Sequence, residues 1–397
     1  MLRLRILLRS ESLRYLAKTI LTLLIDVAGI VAGTILTLSW GILSPIKWSI
    51  ALYPAILTIR GVVNGIFCGR VSTGLHLGLI RPSLREITWE FKLLTGAIVV
   101  FALACSIFMV IQALSFSLLL WGVSIIEIPR MILVVLSTMF FSLIVISPIT
   151  FTIAVTSYKV GLDPDMVTYP TMSTIADILV TLLYILVLYV SNLDRIIITS
   201  ASIVFIVLSL ILLLKYREEE EFTRTIGESL IALIVVSVVT GLTGTFLLDI
   251  SLVCRNPLVI SAYPALIDMS GDVGSIVGSI ITTRLALGIL TPSLHSIKSQ
   301  WRSMLLTWLS SMIVYILSPI IVLPILGLGL RLYIQSLPVI VLTNILTIPI
   351  VITISILIAV LTYGKGFDPD NFVNPIESSL ADMITSLMLL MSIQILT

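Results

Sequence analysis

The sequence predicts an all-α, polytopic membrane protein of about 11 transmembrane helices, arranged as two parallel five-helix repeats joined by a linker helix. Three observations predict it: the composition, the number of long apolar runs, and motifs that return at a fixed offset. Of the 397 residues 58% are hydrophobic and only 11% charged, and the mean hydropathy is +1.19. A soluble domain carries roughly 25% charged residues, so lipid has to solvate this surface. At roughly 20 residues per span the length is used up by the spans and short loops, and no soluble domain is expected. The net charge of +2, with the basic residues dispersed among loops, offers no surface for nucleic acid. Cys68, Cys105, Cys254, His76 and His295 are scattered without CxxC or HxxxH spacing, so thiolate or imidazole metal sites are not expected.

Taken in order, apolar runs bounded by polar residues give spans near 16–41, 48–79, 93–120, 131–157 and 167–190, then 196–214, then 228–250, 257–290, 303–326, 334–362 and 372–395. The first follows a basic N-terminus and is too long for a signal-peptide core, so it is read as a span. Eleven spans put the termini on opposite sides. With the N-terminus inside, cytoplasmic segments hold 15 lysines and arginines and outer loops 5. The positive-inside bias therefore predicts a cell-membrane protein with a cytoplasmic N-terminus and an outer C-terminus.

Tyr53-Pro54-Ala55 returns 210 residues later as Tyr263-Pro264-Ala265. Asp163-Pro164-Asp165, Pro170 and Asp177 return 205 residues later as Asp368-Pro369-Asp370, Pro375 and Asp382. Glu11-Ser12-Leu13 likewise matches Glu228-Ser229-Leu230. Three matches in one order indicate duplication. The expected organisation is a first repeat over 1–191, a linker span with an acidic loop over 192–226, and a second repeat over 227–397. Five spans is an odd number, and the extra sixth span restores the orientation. The repeats are then parallel, with a pathway expected where equivalent residues face each other. The run Glu218, Glu219, Glu220 and Glu221 has two readings, a solvated connector or a cation sensor.

Carboxylates inside a bilayer mark pathways. If Pro170 occupies a first helical turn, Asp177 lies about ten residues in, roughly 15 Å deep. Asp382 takes the same place in the second repeat. Each belongs to a polar stripe at helical spacing: Ser173, Thr174 and Thr181 around one, Ser378, Ser379, Thr385 and Ser386 around the other. Both stripes are expected to face protein rather than lipid. Two such carboxylates on one path repel each other unless one takes a proton or a cation sits between them. Mg²⁺ suits the second solution, because it keeps most of its waters and binds through one or two carboxylates. Simple hydrogen bonding to neighbouring helices is the other reading of the pair.

The second span of each repeat is rich in small residues, with Gly61, Gly65 and Gly69 in one and Gly271, Gly274 and Gly278 in the other. Close helix packing explains such spacing equally well. Polar content favours a pathway: Arg60, Asn64 and Arg70 in the first copy, Asp268, Asp272, Thr282, Thr283 and Arg284 in the second. Asp272 adds a third candidate cation ligand to Asp177 and Asp382. Asn64, Gly61, Gly271 and Glu377 are further pore candidates. Asp163, Asp165, Asp368 and Asp370 either cap the fifth spans or form an inner cation-collecting ring, and the two roles are compatible.

At these residues the sequence resembles the membrane domain of MgtE magnesium channels and their eukaryotic solute-carrier relatives, which carry two fused copies. Pro54-Ala55-Ile56-Leu57, Arg60-Gly61 and Arg70-Val71-Ser72-Thr73 look like the relatives' pattern, and Gly271, Gly274-Ser275 and Leu285-Ala286-Leu287-Gly288 look like the bacterial channels. The Asp-Pro motif with Pro at +7 and Asp at +14 is similar to the family's last helix. The resemblance implies a divalent-cation channel or uniporter, Asp177 and Asp382 matching the aspartate that binds hydrated Mg²⁺, with coupling to Na⁺ or H⁺ as the alternative. The family's Gly-Asn is Gly61-Val62 in one repeat and Gly271-Asp272 in the other, which implies an asymmetric, more acidic pore. The regulatory cytosolic domains of the bacterial channels have no counterpart here, so control is expected from a partner or the membrane potential. The expected partners are the lipid bilayer and divalent cations. No resident cofactor is expected, and fusion of two copies predicts a functional monomer. An intramembrane aspartyl protease, which also buries two aspartates, is a poor match, because here both lie in copies of one motif and Gly364-Lys365-Gly366-Phe367-Asp368 has an intervening Phe.

Overall fold

The structure, a computed structural model, describes residues 2–161, 164–254, 256–291, 298–364 and 370–396. Among the described residues all extended regular structure is helical, and eleven segments are long and apolar enough to cross a membrane. A bilayer cannot hydrogen-bond exposed amides, so a chain this apolar must satisfy its backbone within each segment, which helices do. In order they are α1 (Leu2–Leu23), α2 (Gly29–Leu38), α3 (Lys47–His76), α4 (Trp89–Phe116), α5 (Ile128–Val160), α6 (Pro164–Leu193), α7 (Arg195–Tyr216), α8 (Glu220–Val253), α9 (Pro257–Ala286), α10 (Trp301–Leu317), α11 (Leu330–Gly364) and α12 (Asp370–Leu396).

Short polar residues set many of the boundaries. Thr88, Asp194 and Asn256 accept hydrogen bonds from Phe91, Ile196 and Leu258 backbone N–H groups, capping α4, α7 and α9. Gly161 ends α5 in the left-handed region at φ +81°. The fifth spans begin earlier than the internal prolines predict. α6 starts at Pro164 and α12 at Asp370, so Asp177 and Asp382 are residues 14 and 13 of their helices rather than about the tenth. In α6 Pro164 itself takes the first helical position, where its missing N–H is harmless.

The first span is not one helix. α1 ends at Leu23, a turn and the 3₁₀ segment Asp26–Ala28 follow, and α2 resumes at Gly29.

The chain forms two compact units. A terminal unit combines residues 1–38 with 246–397, and a central unit spans 39–245. Packing therefore divides the chain at other places than the motifs do. The first span lies with the helices of the second copy, and most of α8 lies with those of the first. Local contacts show how. In the terminal unit α2 lies so close to α9 that a β-carbon at Gly33 would collide with the Ser261 carbonyl, and Thr37 bonds the Ser261 hydroxyl at 2.7 Å. The Tyr15 hydroxyl on α1 bonds Thr307 on α10 at 2.9 Å. In the central unit a β-carbon at Gly244 on α8 would collide with the Ala51 carbonyl on α3. Gly33 and Gly244 are 211 residues apart, and Ala51 and Ser261 are 210 apart, so one crossing has been built twice.

Candidate cation site

The candidate residues gather on the second and fifth spans of each copy, and the two copies share a scaffold. In the central unit Tyr53 donates to Thr181 at 2.9 Å, and Thr181 donates to the Asp177 carbonyl at 2.6 Å. In the terminal unit Tyr263 bonds Ser386 at 2.8 Å, and Ser386 donates to the Asp382 carbonyl at 2.7 Å. Each tyrosine is fully buried and ties its second-span helix to the turn that carries the aspartate. A buried phenol needs such a partner, so the bond fixes helix register as well as satisfying the hydroxyl.

Around this scaffold the copies differ. Asp382 is 6% exposed, whereas Asp177 is half-buried. Ser379, Thr385 and Ser386 are buried as the stripe predicts, but Ser173 beside Asp177 is exposed. A helical serine can return its hydroxyl to its own backbone, so exposure costs it little, and the interior-facing expectation fails there.

In the central unit Asn64 is buried and its carbonyl oxygen accepts from Thr150 on α5 at 2.9 Å, so its amide joins two helices. Arg60 is 1% exposed, its Nη2 reaches the Ser142 carbonyl only at 3.5 Å, and its Nε makes no hydrogen bond. Arg70 pairs with Glu221 at 3.7 Å. A β-carbon at Gly61 or Gly69 would have no neighbour within 4 Å, so close packing does not explain those two glycines.

In the terminal unit, by contrast, carboxyl groups cluster. Glu377 is 1% exposed and lies flat against Gly274, where a β-carbon would overlap its carboxyl group. Ser275 donates to its Oε2 at 3.5 Å, and Oε1 has no hydrogen-bond partner. Asp272 and Asp382 both act on Glu377 electrostatically. Asp272 is hydrogen-bonded to Asp26 in the break of the first span, and Asp26 is 7% exposed. Asp268 reaches to within 3.2 Å of where a β-carbon on Gly29 would stand. Gly271 faces Ser378. Positions 64 and 172 in the first copy, Asn and Met, correspond to 274 and 377 in the second, Gly and Glu. The bulk moves from one helix to the other and brings a carboxylate with it.

The structure thus brings Asp272, Glu377 and Asp382 into one neighbourhood. Asp163 and Asp368 lie outside the described residues, as do the side chains of Asp165 and Asp370, and so does the cap or ring they were expected to form. Sequence reasoning missed Asp26. Its signal was a lone carboxylate in an otherwise apolar run, which is costly enough to be informative. Among the described residues no three His, Cys, Asp or Glu are grouped tightly enough to ligate one ion together.

The family model described as MgtE, divalent cation transporter, matches residues 53–187 and again 263–392. The chain belongs to the MgtE family of divalent cation transporters. No curated protein and no solved structure matches it. The two MgtE segments start at Tyr53 and Tyr263 and contain Asp177 and Asp382. Each therefore holds the whole tyrosine–hydroxyl–aspartate scaffold, and the chain is a multi-pass MgtE-type membrane protein of a family of transporters, not enzymes. The first span, with Asp26, lies outside both MgtE segments.

Proposed function

We propose that this MgtE chain carries Mg²⁺ down its electrochemical gradient, with Asp382 and its counterpart Asp177 as ligands of the hydrated ion and Asp272 and Glu377 adding negative charge. The observation that carries the reading is the repeated scaffold. In both copies a buried tyrosine fixes the helix turn from which the aspartate projects. Duplication of that device is the reason for assigning the two aspartates to one path. Their hard oxygen ligands, without histidine or cysteine, favour Mg²⁺ over softer metals. A chain holding both copies, over 1–191 and 227–397, needs no partner copy to complete the pair, so the working unit is a monomer. The basic bias of the loops gives a cytoplasmic N-terminus, and influx then follows the membrane potential.

The test is Mg²⁺ flux into proteoliposomes by wild type, Asp177→Asn and Asp382→Asn, each with and without a Na⁺ or pH gradient. Each substitution is expected to cut flux about tenfold or more, equivalent to about 1.4 kcal/mol of lost ion stabilisation. Flux that ignores the gradients supports uniport. Flux that follows one of them keeps the site and makes the mechanism coupled exchange. Full flux in both variants removes the aspartates from the path.

A further inference from the structure

The break in the first span and the carboxyl group inside it have no place in the two-aspartate reading. Asp26 stands where α1 has ended and α2 has not begun, and its carboxyl group is hydrogen-bonded to that of Asp272 on α9. Two carboxylates in contact repel unless a proton or a cation lies between them. The backbone there stays right-handed and hydrogen-bonded, so what the turn offers an ion is the Asp26 carboxyl group.

A second, independent observation points the same way. Glu377 is 1% exposed, and its Oε1 has no hydrogen-bond partner. Leaving a buried polar atom unpaired is costly, the more so for a charged group. Its charged neighbours are Asp382 and Asp272, both acidic, and the Ser275 and Ser355 hydroxyls beside it offer hydrogen bonds but no positive charge. A cation between Asp272 and Asp382 would supply it.

We propose that Asp26 and Asp272 form a second station for the transported divalent cation within the terminal unit, with Glu377 bridging it to Asp382. This rests on the transport reading above and deepens it. The cation class follows from the ligand set. Two carboxylates suit a divalent ion that retains most of its waters, and among the described residues no group of three is tight enough to strip them. The station belongs to one copy alone. Asp26, Asp272 and Glu377 correspond to Ser237, Val62 and Met172 in the other, at offsets of 211, 210 and 205, and none of those is ionisable.

The experiment uses the full chain in detergent and in proteoliposomes, with Asp26→Asn and Glu377→Gln. The amide introduced by Asp26→Asn would still donate a hydrogen bond to Asp272 while removing one charge. Without Mg²⁺ the Asp26→Asn protein is expected to unfold at the wild-type temperature or above. Its stabilisation by added Mg²⁺ should fall to half or less, and the Mg²⁺ concentration for half-maximal flux should rise about tenfold. A purely structural Asp26 would instead lower the unfolding temperature and leave the Mg²⁺ response intact. Glu377→Gln should raise the half-maximal concentration in the same direction, and it decides the matter if Asp26→Asn does not fold. The proposal is overturned if the folded variants respond to Mg²⁺ as wild type does, in which case the carboxyl pair simply shares a proton. Wild-type flux that is absent, or indifferent to Asp382→Asn, would defeat the transport reading itself, a result distinct from the previous one.

Discussion

At the scale of single residues, the two tyrosines and one glycine carry testable weight. Tyr263→Phe removes a donor from Ser386 while leaving that serine bonded to the Asp382 carbonyl. The expected loss is about 1 kcal/mol by thermal unfolding, with a similar loss for Tyr53→Phe, because the same bond is lost in each unit. Gly274→Ala is a different perturbation. The added methyl group occupies the space of the Glu377 carboxyl and must expel it. It should weaken Mg²⁺ binding as Glu377→Gln does, while also destabilising the fold by about 1–3 kcal/mol. Of the candidate site, Asp177, Asp382 and Asp272 stood out in the sequence because motif repetition or an unusual charge marked them. The partnership of Glu377 with Gly274 did not, since contacts between helices a hundred residues apart leave no periodic trace. Asp26 was passed over because a hydropathy reading averages one charge into its apolar surroundings.

At the scale of elements, number and order of spans were legible, and the eleven apolar runs all became helices. Their interruptions were not. The break at 24–28 contains no proline, and its glycine opens the next helix, so local chemistry gave no breaker signal. The crossing of α2 on α9 provides the prediction at this scale. Gly33→Ala drives a methyl group into the Ser261 carbonyl and should lower stability by about 1–3 kcal/mol or more. Gly41→Ala, with no neighbour within 4 Å, is the control and should change it little. Gly244→Ala should repeat the Gly33 result, because it meets the Ala51 carbonyl in the equivalent crossing.

At the scale of the whole molecule, the family membership was legible, and the family model matches the chain in two segments. The allocation of helices to compact units was not legible, because sequence order groups neighbours along the chain and packing does not have to. Residues 1–38 complete the unit that contains 246–397, and α8 up to Thr245 completes the other. Cutting the chain in the loop between α7 and α8 should therefore leave both fragments with unfilled crossings. Residues 1–219 expressed alone are expected to be degraded or aggregated, and co-expression with 220–397 should restore a co-purifying pair. Recovery of a stable, folded 1–219 fragment would contradict this.

The same exchange of helices has a consequence for biosynthesis. The terminal unit joins segments that leave the ribosome more than 200 residues apart, residues 1–38 and 246–397. α1 and α2 enter the bilayer well before α9 and α10 exist, and for that interval Asp26 has no Asp272 to meet. The nascent first span must therefore wait in the membrane with a carboxyl group exposed to lipid or sheltered by the insertion machinery. Its maturation is set by the synthesis of α9 and α10 rather than by its own.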